Sequence, residues 1–264
     1  EQPLGVINSM GGPTPNNLAL PLSKAGVTIL GTTPENIDRA ENRHIFSQLL
    51  DALKVDQPQW KELTSLDAAK KFAQKVGYPV LVRPSYVLSG AAMSIAESDA
   101  QLEEYLRKAA DISKEYPVVI TKFITNAREI EIDAVAQDGV MYCSAVSEHI
   151  ENAGVHSGDA SVVLPPQRTY LETMRRVKII ARKIAESLKI TGPFNIQFLA
   201  KDGDVKVIEC NLRASRSFPF VSKVFRMNFV DAATKVIMGH HVPPFDRSAF
   251  DLDYVGIKSP QFSF

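Results

Sequence analysis

Two neighbouring apolar segments carry polar side chains that could bind a metal ion. Residues 205–211 are Val-Lys-Val-Ile-Glu-Cys-Asn, and residues 194–198 are Phe-Asn-Ile-Gln-Phe. Alternation along a strand would put Glu209 and Asn211 on one face with the two valines, and Gln197 on the face opposite the phenylalanines. Carboxylate and amide oxygens suit Mg²⁺ held together with nucleotide phosphates. The residue types therefore indicate a site for a divalent cation and a nucleotide.

Whether these side chains meet depends on the register of the hairpin that the two segments form. A three-residue loop at 202–204 (Asp-Gly-Asp) would place Gln197 directly opposite Glu209. A two-residue loop would place Gln197 opposite Ile208 and turn it to the other face. The alternative to a metal site is a solvated sheet face with incidental polar residues.

Two arginines follow the second segment directly. Arg213 and Arg216 lie in Asn-Leu-Arg-Ala-Ser-Arg-Ser (211–217), and Phe-Pro-Phe comes next. Guanidinium groups at this place could stabilise charge on a transferred phosphoryl group and on its acceptor. The alternative is a pair of surface arginines in a loop, and the apolar residues that follow make a fully exposed loop less suitable.

Other charged residues lie near predicted strands and helices. Arg83 follows the apolar strand 80–82, where a phosphate could serve as its partner. The small-residue turn 89–92 could cover that phosphate with backbone N–H groups. Arg39 and Arg43 share one face of a predicted helix, and solvated side chains are the plainer interpretation.

Three acids alternate onto one face of a predicted strand, and a glycine-bracketed loop follows the next strand. We expect Glu129 to contact a ribose and Glu131 and Asp133 to be solvated. The loop 154–159 contains a histidine and a serine that could donate to a phosphate, although a lone loop histidine is more often a structural hydrogen bonder. We find no Ser-His-Asp ordering or Cys-His pair that supports a covalent nucleophile.

The elements that position these side chains follow from hydrophobic periodicity. Predicted helices lie at about 16–24, 38–54, 65–77, 99–113, 170–188, 218–224 and 229–238. Predicted strands lie at 5–8, 27–30, 80–82, 117–123, 129–136, 140–146, 194–200 and 205–211. Asp38 and Ser65 are candidate N-caps, and Asp138-Gly139 is a strong hairpin signal. The order predicts an α+β fold with mixed sheets, preceded by a small α/β lobe.

Composition and charge limit the partners of the chain. Thirty Lys and Arg balance thirty Asp and Glu among 264 residues, which disfavours a nucleic-acid partner. We find neither a signal peptide nor an apolar run of about 18 residues, so we expect no membrane partner. Cys143 and Cys210 lack a metal-binding spacing and are expected as buried thiols in a reducing compartment. We expect a cytoplasmic location, with the mitochondrion as the alternative, and a chain cut from a longer polypeptide.

Four stretches resemble the synthetase unit of the carbamoyl-phosphate synthetase large subunit, an ATP-grasp enzyme. They are Gly-Thr-Thr-Pro with Ile-Asp-Arg-Ala-Glu (31–41), Arg-Pro-Ser-Tyr-Val-Leu-Ser-Gly (83–90), residues 147–159, and 192–198 with 208–220. The resemblance implies an ATP-grasp fold with mixed or antiparallel sheets, preceded by part of a Rossmann-like pre-ATP-grasp lobe. It places the lobe at 1–36 and the ATP-grasp region at 37–264. The implied divisions of that region are a helical linker region (37–80), an A subdomain (81–124), and a B subdomain with the catalytic core (125–264).

The resemblance also implies an activity. The family duplicates the unit, so that one half phosphorylates bicarbonate and the other phosphorylates carbamate to give carbamoyl phosphate. Residues 210–220 look like the second half of eukaryotic members, which favours carbamate. The alternatives are the bicarbonate half, another ATP-grasp ligase, and a nucleotide-binding regulatory module without turnover. The implied partners are ATP, carbamate, the remaining domains of the synthetase and a glutaminase domain or subunit, in pyrimidine or arginine biosynthesis.

Roles of single residues are carried over by position. Mg²⁺ or Mn²⁺ would be held by Gln197, Glu209 and Asn211, and Arg213 and Arg216 would join Glu209 and Asn211 as catalytic residues. The implied nucleotide contacts are Arg43 and Arg83 at the phosphates, Lys122 and Ile124 at the adenine, Glu129 at the ribose, Gln197 through the metal, and Gly154, Val155, His156 and Ser157 along the cleft. A K⁺ site is implied near His149, Glu151, Asn152 and Ser157.

The chain departs from the family pattern at two places. Pro13 stands where the family usually has glutamine in Gly-Gly-Gln, so a polar contact of the small lobe is in doubt. Phe-Arg-Met at 225–227 replaces a turn that usually contains glycine.

Overall fold

The computed structural model describes residues 3–63, 65–84, 93–112, 118–155, 158–243, 245 and 248–261. The chain divides into two compact units, one formed by Glu1–Ala40 together with Asn126–Phe264 and the other by Glu41–Thr125. The predicted boundary at 80/81 falls inside the second unit. The division into a pre-ATP-grasp lobe and ATP-grasp subdomains stays a prediction.

The beginning of the chain contains three short helices and one bridge between extended segments. The helices are α1 (Pro13–Asn17), α2 (Ala19–Lys24) and α3 (Pro34–Glu41). The two strands predicted at 5–8 and 27–30 are reduced to an isolated parallel bridge between Val6 and Ile29. The predicted helix 16–24 is broken at Leu18, because Pro21 has no N–H to continue the hydrogen-bond ladder.

The helix predicted over 38–54 is in fact two helices, because Asn42 caps the second of them. Asn42 is extended, and its side chain accepts hydrogen bonds from two backbone N–H groups of the following turn, at 3.1 and 3.2 Å. The predicted N-cap Asp38 lies inside α3. Arg39 and Arg43 therefore belong to different helices, and the prediction that they share one helix face is wrong.

The second unit is a four-stranded antiparallel sheet with helices. Its helices are α4 (Arg43–Ala52), α5 (Leu66–Val76) and α6 (Asp99–Ile112). Its strands are β1 (Trp60–Glu62), β2 (Val80–Pro84), β3 (Ser94–Ala96) and β4 (Val118–Lys122), in the order β1-β4-β2-β3. The Ser65 side chain accepts from the N–H of Ala68 at 3.2 Å, and Gly77 follows the helix with a φ of 77°. Both predicted ends of α5 are confirmed.

The first unit is built on a six-stranded sheet of order β10-β7-β6-β5-β8-β9, in which all neighbours are antiparallel. The strands are β5 (Arg128–Gln137), β6 (Val140–Asn152), β7 (Val162–Leu164), β8 (Gly192–Lys201), β9 (Asp204–Asn211) and β10 (Gly256–Lys258). The helices are α7 (Leu171–Ser187), α8 (Phe218–Phe225) and α9 (Phe229–Ile237), and one turn of 3₁₀ helix spans Ala249–Asp251. The predicted α+β class is confirmed, whereas parallel pairing among the described residues is limited to the isolated bridge.

Helices pack on both faces of this sheet. α8 and α9 form one apolar cluster with Val135, Cys143 and Ala145, which lie on one face. α7 contacts β5, β6, β8 and β9 and buries its own apolar side chains. Because α7 contributes no residue to that cluster, it covers the opposite face, where Ile132 and Ile196 are fully buried. Within the described residues, every helix is too short or too polar to span a bilayer.

Both long hairpins turn through two residues. Asp138 and Gly139 have φ of 49° and 84°, as the Asp-Gly signal predicts for a type I′ turn. Asp202 and Gly203 have φ of 51° and 86°, and the strand residues that flank them pair directly. The three-residue loop that we predicted for the second hairpin is therefore wrong.

A β-bulge at Ile208 shifts the register of that hairpin before its polar residues. Phe198 pairs with Val207 and Gln197 pairs with Glu209, so Ile208 is the extra residue. Residues directly opposite each other share a face, which places Val207 with Phe198 and Glu209 with Gln197. The predicted pairing of Gln197 with Glu209 is confirmed, but the prediction that the valines share the face of Glu209 is wrong.

We expect Asn42→Ala to destabilise the second unit by about 1 kcal/mol, because two N–H groups at the start of α4 lose their acceptor. Asn42→Ser, which keeps a capping oxygen, should retain most of the stability. Urea unfolding followed by circular dichroism would measure both changes. An alanine variant as stable as the serine variant would contradict the capping role.

Candidate functional site

One face of the larger sheet changes from apolar to polar along its length. Its apolar part lies under α8 and α9. Its polar part consists of Glu129, Glu131 and Asp133 on β5, Ser147 on β6, Asn195 and Gln197 on β8, and Glu209 and Asn211 on β9. The residues on β5, β6 and β8 are buried, and the two on β9 are half-buried. We refer to these eight residues as the polar face.

The three predicted metal ligands lie side by side at the edge of this face. Gln197 is opposite Glu209, and Asn195 is opposite Asn211. Asn211 Nδ2 donates to Glu209 Oε1 at 3.0 Å, and Arg213 Nη2 donates to Asn211 Oδ1 at 3.1 Å. One carboxylate and two carboxamides offer the oxygen ligands that Mg²⁺ prefers when phosphates complete its coordination. The described residues contain no cluster of three or more His, Cys, Asp or Glu side chains placed to hold a metal, so amide oxygens would be needed.

Arg213 carries a buried donor directed at no residue of the described chain. Its Nε is buried and has no hydrogen-bond partner there, whereas its Nη2 is bonded to Asn211. A buried N–H without an acceptor costs free energy, and an anionic ligand would remove that cost. Arg216 lies three residues further along the same loop and is exposed. The loop therefore brings both predicted arginines next to the strand that carries Glu209 and Asn211.

Glu131 and Asp133 are buried in a hydrogen-bonded network, so the prediction that they are solvated is wrong. Asn195 Nδ2 donates to Glu131 at 3.1 Å and to Asp133 at 2.8 Å. Ser217 Oγ donates to Glu131 at 3.0 Å, and Ser215 Oγ donates to Asp133 at 2.6 Å. The acids are buried because the loop after β9 lies over them, and its hydroxyl groups replace the hydrogen bonds of water.

His149 lies between two of these acids. Its Nδ1 is 3.8 Å from Glu129 Oε1, and its Nε2 is 3.4 Å from Glu131 Oε1. Burial opposes the charged forms, but the contact with Glu131 raises the pKa of His149 and lowers that of Glu131. The contact therefore favours the charged forms of both residues.

Glu129 is partly protonated near neutral pH. Burial raises its pKa to about 7, and the charges of Glu131 and Glu209 act in the same direction against that of His149. A carboxyl group that titrates near neutrality can accept from or donate to a hydroxyl group, which is compatible with the predicted ribose contact.

Four other predicted nucleotide contacts lie in the second unit. Arg43 is the first residue of α4, and its Nη2 is 3.8 Å from Met93 Sδ. Arg83 lies on β2 opposite Val119. Lys122 Nζ donates to the carbonyl oxygens of two residues after α5, at 2.9 and 3.0 Å. Ile124 is half-buried just after β4. The roles of these four residues stay predictions.

The loop after β6 is described in part. Gly154 and Val155 are exposed, with Gly154 at a φ of 118°, and His156 and Ser157 lie outside the described residues. At the predicted K⁺ site, Glu151 Oε2 accepts from the backbone N–H of Ser161 at 2.9 Å. His149 is already paired with acids and Asn152 is exposed. The K⁺ site stays a prediction.

Four polar residues of the hydrogen-bonded network around Glu131 and Asp133 were not predicted to belong to it. They are His149, Asn195, Ser215 and Ser217. Asn195 could have been found, since it alternates with Gln197 on β8. Ser215 and Ser217 alternate with Arg216 in the loop, but the sequence does not show that they reach β5, more than 80 residues earlier. The pairing of His149 with Glu131 depends on an irregular register of β5 and β6, for which we find no sequence signal.

We expect the Asp133→Asn variant to lose less stability than the wild type as the pH rises. Burial, reinforced by Glu131, raises the pKa of Asp133 from 3.8 to about 7, so the folded protein keeps a proton that the unfolded chain releases. The stability from that proton is complete below about pH 4 and is lost as the pH rises through about 7. An amide is uncharged throughout this range and keeps one acceptor oxygen.

Urea midpoints of both proteins between about pH 4 and about pH 8 would measure this effect. The stability of the variant relative to the wild type should rise with pH. A difference that stays constant would show that the Asp133 carboxyl titrates as it does in the unfolded chain.

Comparison with known proteins identifies a matching family model and similar proteins. A family model described as carbamoyl-phosphate synthase L chain, ATP binding domain, matches residues 42–244. The multifunctional protein pyrABCN of Emericella nidulans is 61% identical over 264 residues, which are 100% of this chain and 12% of that protein. The arginine-specific large chain of carbamoyl phosphate synthase from Cutaneotrichosporon cutaneum is 57% identical over 266 residues, which cover 98% of this chain and 23% of that protein.

Solved structures share the fold at low sequence identity. The biotin carboxylase domain of Hydrogenobacter thermophilus 2-oxoglutarate carboxylase, solved with MgADP and bicarbonate, superposes with a TM-score of 0.74 at 18% identity, covering 86% of this chain and 51% of that chain. Biotin carboxylase from Campylobacter jejuni gives a TM-score of 0.75 at 20% identity, covering 86% and 52%. These likenesses confirm the predicted ATP-grasp fold.

The chain thus spans about an eighth of the length of its multifunctional relative. The family model covers most of the chain, from just after α3 through the polar face to the residues beyond α9. On this evidence, the chain belongs to the family of carbamoyl-phosphate synthase large-chain ATP-binding domains.

Proposed function

We propose that this chain transfers the γ-phosphoryl group of Mg-ATP to carbamate, giving carbamoyl phosphate and ADP. The observation that carries the proposal is the joint position of Gln197, Glu209, Asn211 and the unpartnered Nε of Arg213. This group combines oxygen ligands for a divalent cation with a buried donor for an anion, on the paired strands β8 and β9 and the loop that follows β9. Phosphoryl transfer needs both.

The proposed reaction forms one bond and breaks one bond. A carbamate oxygen attacks the γ-phosphorus while the bond from that phosphorus to the bridging oxygen of ADP breaks, so no covalent intermediate with the protein is needed. When bound, Mg²⁺ supplies positive charge that offsets the charge of the phosphate oxygens. Glu209, Asn211 and Gln197 would hold it, and Arg213 and Arg216 would stabilise the transferred group and the acceptor.

Carbamate is favoured over bicarbonate by the resemblance of residues 210–220 to the second half of eukaryotic synthetases. The relatives include multifunctional proteins and arginine-specific large chains, which supports a place in pyrimidine or arginine biosynthesis. We propose as partners the remaining domains of a larger synthetase, including a glutaminase domain or subunit that supplies nitrogen. A cytoplasmic location, Mn²⁺ as an alternative metal, and K⁺ as an additional ion belong to the same proposal.

We expect Glu209→Gln to lower phosphoryl transfer at least about 10²-fold, because the proposed metal site loses its only carboxylate. The measurement is ATP formation from MgADP and carbamoyl phosphate in the natural polypeptide that carries this chain. Glu186→Gln, on the exposed side of α7, is the matched control and should leave the rate unchanged. Unchanged transfer in the Glu209 variant would remove the metal assignment.

The same variant distinguishes the two acceptors. If this chain phosphorylates carbamate, Glu209→Gln should abolish ATP formation from carbamoyl phosphate while bicarbonate-dependent ATP hydrolysis by the rest of the enzyme persists. The opposite pattern would assign the chain to bicarbonate. A wild type that binds nucleotide and supports neither reaction would favour a regulatory module without turnover.

A further inference from the structure

The loop between β9 and α8 is fastened to a strand far away in sequence. This loop, residues 212–217, carries Arg213 and Arg216, and its two serines reach the acids of β5. Ser215 Oγ donates to Asp133 Oδ1 at 2.6 Å, and Ser217 Oγ donates to Glu131 Oε1 at 3.0 Å. Asp133 is fully buried, and Ser217 and Glu131 are almost fully buried. These hydrogen bonds join hydroxyl groups to buried acid side chains, and breaking one would leave a buried polar atom without its partner, so they restrict where the loop can lie.

Further bonds fix the conformation of the loop itself. Ser215 Oγ also accepts from the backbone N–H of Ser217 at 3.1 Å, so one hydroxyl group bridges Asp133 and the loop backbone. The N–H of Ala214 donates to the carbonyl oxygen of Ser9 at 2.8 Å. The loop is therefore held at consecutive points, with Arg213 directly before them.

Glu131 and Asp133, which accept the hydrogen bonds of the two serines, are also held by Asn195 of β8, the strand that carries Gln197. Asn195 Nδ2 contacts both Glu131 and Asp133, and Asn195 lies opposite Asn211 on β9. Glu131 lies opposite Gln197, which in turn lies opposite Glu209. Side-chain hydrogen bonds together with strand pairing thus link the position of the arginine loop to the two strands of the proposed metal site.

We propose that Ser215 and Ser217 are positioning residues that place Arg213 for phosphoryl transfer by holding the loop to Asp133 and Glu131. This inference rests on the proposed function. Both hydroxyl groups donate to buried acids that are not among the proposed metal ligands. A hydroxyl group is required at each position because alanine would leave its carboxylate with one fewer donor and release the loop at that point. Displacement of a charge-stabilising group by about 1 Å can cost about 10²-fold in rate.

A double-mutant cycle in the natural polypeptide tests this role. ATP formation from MgADP and carbamoyl phosphate is measured for the wild type, Ser215→Ala, Ser217→Ala, Arg213→Ala and each serine change combined with Arg213→Ala. Each serine variant should lower kcat about 10- to 10²-fold with KM for MgADP changed less than about threefold. In the Arg213→Ala background, the same changes should cost less than about twofold, because the side chain that they position is absent.

Ser187→Ala is the matched control. Ser187 ends α7, which covers the other face of the sheet, and its removal should leave kcat unchanged. Equal losses with and without Arg213 would overturn the proposal, because the serines would then act on stability alone. Rates within about twofold of the wild type, or loss of the cooperative unfolding transition in both serine variants, would overturn it as well.

Failure of the proposed function would look different. If the Glu209→Gln pattern assigns this chain to bicarbonate, the cycle is measured on bicarbonate-dependent ATP hydrolysis. The serine changes should then again lower the rate only when Arg213 is present. Equal losses with and without Arg213 would overturn the positioning role in that reaction too.

Discussion

The register of β8 against β9 is the constraint on which the proposed site depends. The Asp-Gly turn fixes two residues between the strands, and the apolar face requires Val207 beside Phe198. The polar face requires Glu209 beside Gln197, although Val207 and Glu209 are two residues apart and would share a face in a regular strand. One extra residue at Ile208 satisfies both requirements. Without it, Glu209 would point into the apolar layer under α7.

Burial of charge is the second constraint, and the polar face meets it by sharing hydrogen bonds. Glu131 and Asp133 would be costly in an apolar interior, but Asn195, two serines and His149 supply donors around them. The same contacts tie the loop with Arg213 to β5. The hydrogen bonds that stabilise the buried acids therefore also restrict the position of the loop that we assign to phosphoryl transfer.

Periodicity and turn chemistry were sufficient to predict most elements of the fold. The ends of α5 followed from Ser65 and Gly77, and the β5–β6 hairpin followed from Asp138-Gly139, because each residue has a local reason to adopt its conformation. Asn42 was missed, since a continuous apolar pattern runs across the break that it makes. Local signals work where the cause is local.

The site was harder to predict because its causes are distant in sequence. Gln197 and Glu209 were paired correctly through the wrong loop, since alternation alone cannot reveal a bulge. Glu131 and Asp133 were expected in solvent because the serines that cover them lie more than 80 residues later. The roles of Arg43 and Lys122 came only from the family resemblance. A single sequence shows which residue types are present, but it does not show the ligand that their side chains would bind.

The central claim is that Gln197, Glu209 and Asn211 bind a divalent cation together with a nucleotide. Crystals grown with Mn²⁺ and a non-hydrolysable ATP analogue would test it most directly through the anomalous scattering of the metal. We expect an anomalous peak coordinated by oxygens of Glu209, Asn211 and the analogue, with Gln197 beside it. A bound analogue with no metal at these side chains, or Glu209 turned into the apolar layer, would contradict it.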